Sequence, residues 1–502
     1  MTTLSFPIAC ATNETTCALA KHQTVLVLGA GISGLIAAYR LQKLGYTCVV
    51  VEKSNKAGGA IRSEFIPLHE GSEAGYLLEW GPNSFPSSSS ELMSLLEELQ
   101  LRPVSTSPTA KHRFITKGYR LIEAPSDPLT FATSPLLSFG DKLRLMKEPF
   151  TRRFPWHDEP DPSVQRFFTY RFGKAFHQNL IAPLLCGIYA GDTETLGVAS
   201  VFPFLKTWEQ QHGSVTLGAL MALFKKMNEQ RQQPDTPSKN RRKNYRLLNF
   251  EGGMASLIHK LASQLPAEAL KLQHEVMSLR YDTSDATQPQ WLAEVLQPDG
   301  SSAVLKADRV ICTLPAYEAA RLIDPLQNEA AALLNGVDYA PLWVAYQAFK
   351  KEACASTLKG FGTLKIPYSE YPTTAWLGAL WSSSLFPTRS PRDEHLVCHF
   401  IGGVLAPEVR LWSKEKVQEL ALQRSQWMLE TTTSPTFEQA YYWHKATPQY
   451  AQGHLERMQR VTNLLRQRAP GLVLAGNYVN GINLNSCVKV ANQAVAEAVI
   501  VF

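Results

Sequence analysis

The chain has 502 residues, of which 45% are hydrophobic and 19% are charged, and its formal net charge is +6. This length exceeds what one hydrophobic core supports and predicts two or three domains. The charge is too small to indicate nucleic-acid binding, and no nucleic-acid-binding signature is present. The 8 cysteines are scattered without a CxxC pair, so neither a disulfide framework nor a metal site is expected.

The first 20 residues contain no Lys or Arg. A signal peptide needs a basic start and a transit peptide needs arginines, so this segment predicts neither and is expected to be a frayed extension. The sequence contains no run of about 18 apolar residues, so no transmembrane helix is predicted. We therefore expect a chain that is soluble or lies on the cytoplasmic side of a membrane as a peripheral protein.

Short apolar runs and a run of helix formers open the ordered part of the chain. They predict a buried strand at Val25–Leu28, a helix at Leu35–Leu44 and a second buried strand at Cys48–Val51. Strand, helix and strand in this order are typical of one unit of a parallel sheet, which indicates an α/β fold class.

Three glycines between the first strand and the helix form the motif GxGxxG, at Gly29, Gly31 and Gly34. The first allows a tight turn, the second lets the backbone approach a pyrophosphate, and the third lets the helix pack on the strand. The start of the helix, Ile32 and Ser33, directs unpaired N–H groups at the phosphates. Glu52 follows 18 residues after Gly34, where its carboxylate can accept hydrogen bonds from a ribose. The segment therefore predicts a dinucleotide site.

Two glycine-containing turns follow that acid, "EKSNKAGGAIRS" from Glu52 and "EWGPNS" from Glu79. Both resemble the flavin amine oxidase superfamily, in which these stretches contact the pyrophosphate and the flavin. The resemblance implies that the cofactor is FAD. It also implies that the two turns contribute cofactor contacts at Lys53, Gly59, Ala60, Arg62, Gly81, Pro82, Asn83 and Ser84.

The middle of the chain alternates between helix, loop and strand patterns. We predict a short amphipathic helix at Glu91–Leu101, a loop at 158–162, and a solvated or disordered connector at Glu229–Arg246 because that stretch is polar and basic. Two strands are predicted between residues 272 and 300, followed by an Asp299-Gly300 turn and a strand stopped by Pro315. Residues 356–402 are rich in β-formers and turns.

The segment Ser134–Trp156 is both apolar and basic, with Lys142, Arg144, Lys147, Arg152 and Arg153 among its apolar side chains. Such a segment can lie on anionic lipid. It can equally be a helix that covers another domain, and the sequence leaves both open.

The chain ends with a predicted strand at Leu472–Ala475, a glycine loop and a terminal helix. The positive end of that helix can face the pyrimidine edge of a flavin, where it would stabilise the negative charge of the reduced ring. The terminal helix can also simply pack on the sheet. We expect the two ends of the chain to meet in one domain, with cofactor contacts at Gly476, Asn477, Ile482, Asn483 and Leu484.

Four further motifs make the resemblance more specific: "CGIYAGD" from Cys186, "LWSSSLFPTR" from Leu380, "TPQYAQGHL" from Thr447 and "LAGNYVNGINLNSCV" from Leu474. Together with the glycine motif they resemble the oxygen-dependent, FAD-containing protoporphyrinogen oxidase family over nearly the whole chain.

The resemblance implies an α/β (α+β multidomain) fold with three parts. These are a Rossmann-type FAD-binding domain (1–86, 250–316 and 440–502), an inserted mixed-sheet substrate-binding domain (87–125 and 317–439), and a helical membrane-docking domain (126–249). It also implies a homodimer. Contact with a ferrochelatase, the next enzyme of the pathway, is a further expectation.

The resemblance also implies roles for several residues outside the glycine motifs. Arg113 would hold a substrate propionate, Phe386 would stack on a pyrrole ring, and the backbone of Gly187 would face the substrate and orient it or accept a proton. Val276 would meet the adenine and Trp443 would wall the flavin. From the sequence alone, Arg113 can be a surface charge, Phe386 and Trp443 can be core residues, and Gly187 can end a helix.

The implied activity is the FAD-dependent six-electron oxidation of protoporphyrinogen IX, with O2 as acceptor and release of three H2O2. Flavin carries the redox chemistry, so no catalytic triad is needed. We do not expect a histidine to act as a base, which applies to His177, His212, His259 and His454. Coproporphyrinogen III oxidation remains an alternative, as does an amine oxidase or carotenoid desaturase. A non-enzymatic FAD-stabilised scaffold is the remaining possibility.

Overall fold

A computed structural model describes residues 23–232, 246–285, 288–369 and 373–500 of the chain. The expected frayed extension of 20 residues and residues 233–245 of the predicted connector lie outside the described residues.

The β-strands are short except for three long ones in the second half of the chain. In chain order they are β1 Thr24–Leu28, β2 Thr47–Glu52, β3 Ser63–Pro67, β4 Gly75–Glu79, β5 Phe85–Pro86, β6 Val104–Ser105, β7 Arg113–Lys117, β8 Arg120–Glu123, β9 Leu247–Asn249, β10 Leu270–Leu272, β11 Glu275–Asp282, β12 Gln290–Leu296, β13 Ser302–Ala307, β14 Arg309–Cys312, β15 Tyr339–Lys350, β16 Gly362–Lys365, β17 Trp376–Leu380, β18 Glu394–Gly402, β19 Phe437–Pro448 and β20 Leu472–Leu474.

The α-helices are concentrated in the first half of the chain and at its end. They are α1 Ile32–Lys43, α2 Ser90–Glu98, α3 Pro128–Thr133, α4 Phe139–Met146, α5 Val164–Phe172, α6 Lys174–Phe176, α7 Ala182–Tyr189, α8 Val198–Val201, α9 Pro203–His212, α10 Val215–Gln232, α11 Ala255–Ala262, α12 Ala316–Ile323, α13 Asn328–Asn335, α14 Ser382–Leu385, α15 Lys414–Leu429, α16 His454–Arg468 and α17 Leu484–Ile500.

A five-stranded parallel sheet of order β10-β2-β1-β14-β20 joins the two ends of the chain to its middle. The central strand β1 is buried on both faces. Val25 and Val27 of β1 pack into the core that contains α1 and α17, whereas Leu26 and Leu28 pack into the core that contains α12 and α16. Burial on both faces explains why β1 and β2 are uninterrupted apolar runs in the sequence. The predicted early and late strands are confirmed within one residue at each end.

A seven-stranded mixed sheet of order β19-β15-β18-β17-β16-β7-β8 forms the second layer. Its pairs are antiparallel except for β16 and β7, which run parallel. This sheet confirms the expectation of a mixed sheet inserted between the parts of the parallel one. Strand β19 of this sheet runs across residues 439 and 440, between which one domain boundary is predicted. The domain boundaries remain a prediction.

Helices α3 to α10 form a third region, which is held together by a buried ionic cluster. The Arg171 guanidinium, fully buried, pairs with the carboxylates of Glu148 and Glu209. Trp156 donates its indole N–H to Glu209, and Ser214 donates its hydroxyl to Glu148. Because each buried charge has partners, the cluster can fix the segment around Glu148 without an unpaired charge.

Several sequence expectations were wrong in detail. The helix expected at Glu91–Leu101 ends at Glu98, since the chain turns at Gln100, whose φ is +54°. The two strands expected between residues 272 and 300 are confirmed as β11 and β12, whereas β13, which follows the Asp299-Gly300 turn, was not predicted. Residues 229–232 of the predicted connector belong to α10.

Segment 134–156 forms no single amphipathic helix. It consists of α4 and a short turn, with Leu136, Leu137 and Phe154 buried while Phe139 and Phe150 protrude. In the described part of the chain, none of the helices has both the length and the apolar character that crossing a membrane requires.

Candidate active site

One continuous cavity of about 1890 Å³ lies between the parallel sheet, the mixed sheet and α7. Its lining includes the sequence-predicted site residues with two exceptions, Gly34 and Phe386. Residues that are hundreds of positions apart in the chain, from Gly29 to Leu484, therefore meet at a single site.

The glycine motif forms the turn between β1 and α1 at one end of the cavity. Gly29 has a φ of +97°, and a Cβ on Gly34 would lie 2.0 Å from the Gly29 carbonyl oxygen, so both positions require glycine. Nothing lies within 4 Å of a Cβ placed on Gly31. The space in front of Gly31 and the start of α1 is thus open for a pyrophosphate, while Gly34 lies behind it and secures helix–strand packing.

The Glu52 carboxylate is held against this turn. One oxygen accepts a hydrogen bond from the Ala30 N–H and the other from the Ser54 N–H, each at 2.9 Å. A carboxylate has further acceptor sites, which face the cavity and can take ribose hydroxyls. The neighbouring Lys53 pairs with Glu318 at 2.9 Å, and this contact raises the pKa of the lysine.

The second glycine pair packs beside the first motif. The Gly58 N–H donates to the Ala30 carbonyl oxygen at 2.9 Å, and a Cβ on Gly59 would lie 3.3 Å from the Gly31 Cα. A Cβ on Gly81 would lie 1.8 Å from the Ala60 carbonyl oxygen. The turn Gly81–Ser84 therefore touches the segment around Ala60, which explains why a glycine is required in "EWGPNS".

A buried network supports that turn from behind. The Glu79 carboxylate accepts hydrogen bonds from Asn249 at 3.0 Å and pairs with Arg389 at 3.3 Å. Asn249 also donates to the Asn83 carbonyl oxygen at 2.7 Å. Burial raises the pKa of Glu79 and lowers that of Arg389. The network links the turn before the flavin site to the segment "LFPTR", two motifs that are separated by about 300 residues in the sequence.

The loop before α17 reaches the cavity with Gly476, Asn477 and Ile482. The Tyr450 hydroxyl donates to the Asn477 carbonyl oxygen at 2.7 Å. Asn483 caps the helix, because its side chain accepts a hydrogen bond from the Ser486 N–H at 2.9 Å. With Leu484 as the next residue, the positive end of α17 opens on the cavity as expected.

Aromatic residues of β19 form the adjoining wall. The Trp443 indole donates to the Trp80 carbonyl oxygen at 2.7 Å, and the Arg62 guanidinium lies 5.0 Å from the Trp443 ring centre. Arg62 also donates to the Tyr441 hydroxyl at 2.8 Å. Val276 lines the cavity near Glu52, and its carbonyl oxygen accepts a hydrogen bond from Arg321 at 2.8 Å. The Val276 backbone is thereby fixed at the end of the cavity where adenine is expected.

The far end of the cavity is mainly apolar and lies between β7, β16, β17 and α7. Arg113 opens β7, is exposed to the cavity, and lies 5.1 Å from the Phe361 ring centre. Gly187 lies in the last turn of α7, where a Cβ would lie 2.5 Å from the Leu364 side chain. The helix ends at Ala190, which has a φ of +50°, so Gly187 is not its cap.

Phe386 is the one predicted substrate contact that the structure does not bring to the cavity lining. Its side chain is buried against Ala110, Phe361 and Leu385, and the Arg389 guanidinium lies 5.1 Å from its ring centre. Ala110 and Phe361 themselves line the cavity. Phe386 thus lies one layer behind the wall, so the position agrees better with the core alternative than with direct stacking on a pyrrole.

The cavity lining also contains residues that the sequence analysis missed, among them Lys111, Arg246, Phe361 and Leu364. Lys111 could have been found from its position two residues before Arg113, because it ends the turn that leads into β7. Arg246 had no such signal, because it follows a polar stretch. None of the four histidines considered above lines the cavity; burial lowers the pKa of His177 and of His454 to about 4.

The comparisons with known proteins agree with this geometry. The sequence profile of the flavin containing amine oxidoreductase family matches residues 32–499. The mitochondrial protoporphyrinogen oxidase of Nicotiana tabacum is 30% identical over 93% of this chain and 94% of its own length. The coproporphyrinogen III oxidase of Bacillus subtilis is 24% identical over 95% of this chain and 98% of its own length.

Solved structures with lower identity share the fold. A crystal structure provisionally assigned as a protoporphyrinogen oxidase of Exiguobacterium sp. 255-15 has a TM-score of 0.76 at 22% identity, covering 95% of this chain and 99% of its own. Cyclohexylamine oxidase of Brevibacterium oxydans has a TM-score of 0.66 at 16% identity, covering 95% and 98%.

The chain belongs to the flavin-containing amine oxidoreductase family. It is a FAD-dependent oxidoreductase, similar over nearly its whole length to protoporphyrinogen oxidases. The residues present fit the cofactor: an open backbone cradle at Gly31, an anchored carboxylate at Glu52 and the capped N-terminus of α17 all face the same cavity.

Proposed function

We propose that the protein oxidises protoporphyrinogen IX to protoporphyrin IX in three two-electron steps, with O2 as acceptor and release of three H2O2. One observation carries the proposal: a single cavity holds the FAD cradle at one end and continues into an apolar space that contains a cationic side chain at the other. A large apolar tetrapyrrole with acidic side chains needs such a space beside the flavin.

The residues of this chain would bind and orient the substrate. Bound FAD supplies the two-electron acceptor. The planar Arg113 guanidinium suits a propionate, and it lies 5.1 Å from the Phe361 ring centre. The Gly187 carbonyl oxygen lies in the last helical turn, where carbonyls lack intrahelical partners, and can accept a hydrogen bond from a pyrrole N–H. Leu364 and the apolar face of α7 exclude water.

Coproporphyrinogen III oxidation is the second candidate, because the Bacillus subtilis relative matches almost the whole chain. Coproporphyrinogen III oxidation differs from protoporphyrinogen IX oxidation in the number of substrate carboxylates that the cavity must hold. An amine oxidase or carotenoid desaturase has no such requirement for cations at the substrate end. The cyclohexylamine oxidase of Brevibacterium oxydans shares the fold at only 16% identity.

The direct test is fluorescence-detected oxidation of protoporphyrinogen IX and of coproporphyrinogen III by the purified holoprotein, with a primary amine and phytoene as comparison substrates. We expect faster porphyrin formation from protoporphyrinogen IX, with stoichiometric H2O2. Oxidation of the amine or of phytoene without porphyrin formation would contradict the proposal. A flavin that is photoreduced but not reoxidised by any acceptor would indicate a scaffold.

We also propose that the helical region makes peripheral contact with a membrane. Large apolar side chains protrude there: Phe139, Met146 and Phe150 are 83%, 75% and 88% exposed. Basic residues of the same segment, Arg152 and Arg153, are exposed as well. Apolar and basic side chains on one surface favour anionic lipid. The homodimer, the contact with a ferrochelatase and the domain boundaries given above remain proposals that rest on the family resemblance.

A further inference from the structure

Three cationic residues, which we call the rim, line the substrate end of the cavity: Lys111, Arg113 and Arg246. Lys111 and Arg113 flank His112, whose ring contacts the Glu123 carboxylate at 2.6 Å. Lys111 ends the turn before β7 and Arg113 opens β7, and both residues line the cavity. The rim therefore begins with two cations that are two residues apart.

The short sheet β5-β9-β6 brings Arg246 to the same rim. The Arg246 N–H donates to the Ser87 hydroxyl at 3.1 Å, and its carbonyl oxygen accepts from the Ser87 N–H at 2.8 Å. The next residue, Leu247, accepts a hydrogen bond from the Thr106 N–H at 3.0 Å. Thr106 leads directly into the turn that ends at Lys111. Arg246 is thus fixed by its backbone beside the segment that carries the other two cations.

The other Lys and Arg side chains along the described lining lie at the FAD end. Lys53 pairs with Glu318, and Arg62 donates to the Tyr441 hydroxyl. Arg321 donates to the Val276 carbonyl oxygen, and Lys445 lies over the Tyr317 ring. Across the described residues, no carboxylate forms an ion pair with Lys111, Arg113 or Arg246. The carboxylates of the lining, Glu52, Glu275 and Glu318, also belong to the FAD end.

The mixed sheet separates the rim from the flavin wall. Arg113 lies on β7 and Trp443 on β19, five strand spacings apart in the sheet order. At about 4.8 Å per spacing this is about 24 Å along the sheet. The surface between them is apolar, with Leu364, Leu377 and Phe400 among its side chains. A tetrapyrrole can therefore place one acidic edge on the rim and its macrocycle over the apolar surface.

We infer that Lys111 and Arg246, together with Arg113, form a rim that binds two carboxylates on one edge of a tetrapyrrole, and that they determine selection against substrates with carboxylates on every ring. This inference rests on the proposed function. Protoporphyrinogen IX carries its two propionates on adjacent rings, whereas coproporphyrinogen III carries one on each of four rings. The second pair would have to enter the apolar surface, where an unpaired charge is strongly disfavoured.

The test compares Lys111→Met, Arg246→Met and the double variant with the parent holoenzyme. Lys117→Met is the matched control, because Lys117 ends the same strand, is exposed and lies outside the cavity lining. Each variant is assayed with protoporphyrinogen IX, its dimethyl ester and coproporphyrinogen III, and its FAD content and Tm are measured.

We expect each single variant to lose roughly tenfold in kcat/KM for protoporphyrinogen IX, mostly through KM, since a hydrogen bond to a charged group is worth at least about a decade. With the dimethyl ester, the parent and the variants should have equal kcat/KM. Lys117→Met should have the kcat/KM of the parent on every substrate. For the parent, kcat/KM should be roughly tenfold lower with coproporphyrinogen III than with protoporphyrinogen IX. Unchanged FAD content would show that the loss is not a folding defect.

Two results would overturn the inference while the proposed function stands: a double variant within twofold of the parent on protoporphyrinogen IX, or a parent that oxidises coproporphyrinogen III equally well. If the parent oxidises no porphyrinogen, the proposed function fails, and quenching of protein fluorescence by protoporphyrin IX then tests the rim alone. Binding that is equal in parent and double variant would reject the rim.

Discussion

The two ends of the cavity are built in different ways. At the FAD end, most of the contacts described above are made with backbone atoms. Gly34 packs on the Gly29 carbonyl and Gly81 on the Ala60 carbonyl, and two backbone N–H groups hold the Glu52 carboxylate. At the substrate end, side chains from β7, β16 and α7 meet across long stretches of sequence. At the FAD end, Gly34 and Gly81 therefore have no room for a Cβ, whereas Gly31, which faces the cofactor space, does.

The largest expected effect is at the FAD end. Gly34→Ala would bring a Cβ within 2.0 Å of the Gly29 carbonyl oxygen, which only a shift of backbone can relieve. We expect a destabilisation of about 4 kcal/mol or more, with little soluble protein and no bound FAD. Soluble yield, circular dichroism and flavin absorbance measure this.

Gly31→Ala is the matched control, because nothing lies within 4 Å of the added methyl group. We expect this variant to fold with a Tm near that of the apoprotein of the parent but to bind FAD more weakly, since the methyl group enters the pyrophosphate space. If Gly34→Ala retained FAD as well as the parent does, the distinction between packing and cofactor glycines would be wrong.

The link between the two ends gives the next largest effect. Arg389→Met leaves the buried Glu79 carboxylate without its cation. Removing one partner of a buried pair costs about 3–5 kcal/mol, so we expect a clear fall in Tm and a shifted flavin spectrum, because Glu79 and Asn249 hold the turn at Asn83. The double variant Glu79→Gln/Arg389→Met should recover part of the lost stability. A double variant no more stable than Arg389→Met would contradict the coupling.

A smaller effect, confined to the substrate end, is expected from Arg113→Ala. A hydrogen bond to a charged group contributes roughly 1.5–3 kcal/mol, so kcat/KM for protoporphyrinogen IX should fall by about one to two decades, mostly through KM. FAD content and Tm should stay near those of the parent. Arg113→Lys should recover part of the activity, since charge returns without the bidentate fork.

The same variant has an internal control. Esterified propionates cannot pair with Arg113, so the dimethyl ester should be oxidised equally by the parent and by Arg113→Ala. Full kcat/KM of Arg113→Ala on the free acid would make Arg113 a surface charge, and the substrate orientation proposed above would fail.

The smallest effect concerns the outer surface beyond the substrate end. Replacing Phe139, Met146 and Phe150 together with Ser should lower flotation with anionic vesicles by about tenfold, because partly inserted apolar side chains contribute about 0.8 kcal/mol per buried CH₂ group. Leu411→Ser is the control, since Leu411 is 91% exposed but lies elsewhere. Lys142 is a poor target because its ammonium group donates to the Ala132 and Ser134 carbonyls, each at 2.8 Å. Unchanged flotation of the triple variant would reject this surface as a membrane contact.

Prediction from the sequence was accurate where a local pattern has a single physical solution. The apolar run Val25–Leu28 was predicted to be a buried strand and the glycines after it a tight turn, and the structure contains both. Prediction was less accurate where the placement of a residue depends on tertiary packing. Leu136 and Phe139 are apolar residues of one short segment, yet Leu136 is buried and Phe139 protrudes. No local pattern separates them, because Leu136 is buried against Ile115 and Ile366, of which Ile366 lies far away in the sequence.

The sequence by itself determined the FAD end of this protein, because glycine spacing, a carboxylate at a fixed distance and a terminal helix encode backbone geometry within a few residues. Only the tertiary structure decided the substrate end. It placed Phe386 behind the cavity wall, brought Arg246 and Lys111 to the same cavity and joined Glu79 to Arg389. Such contacts arise from sheet order and packing between distant segments, which local sequence does not specify.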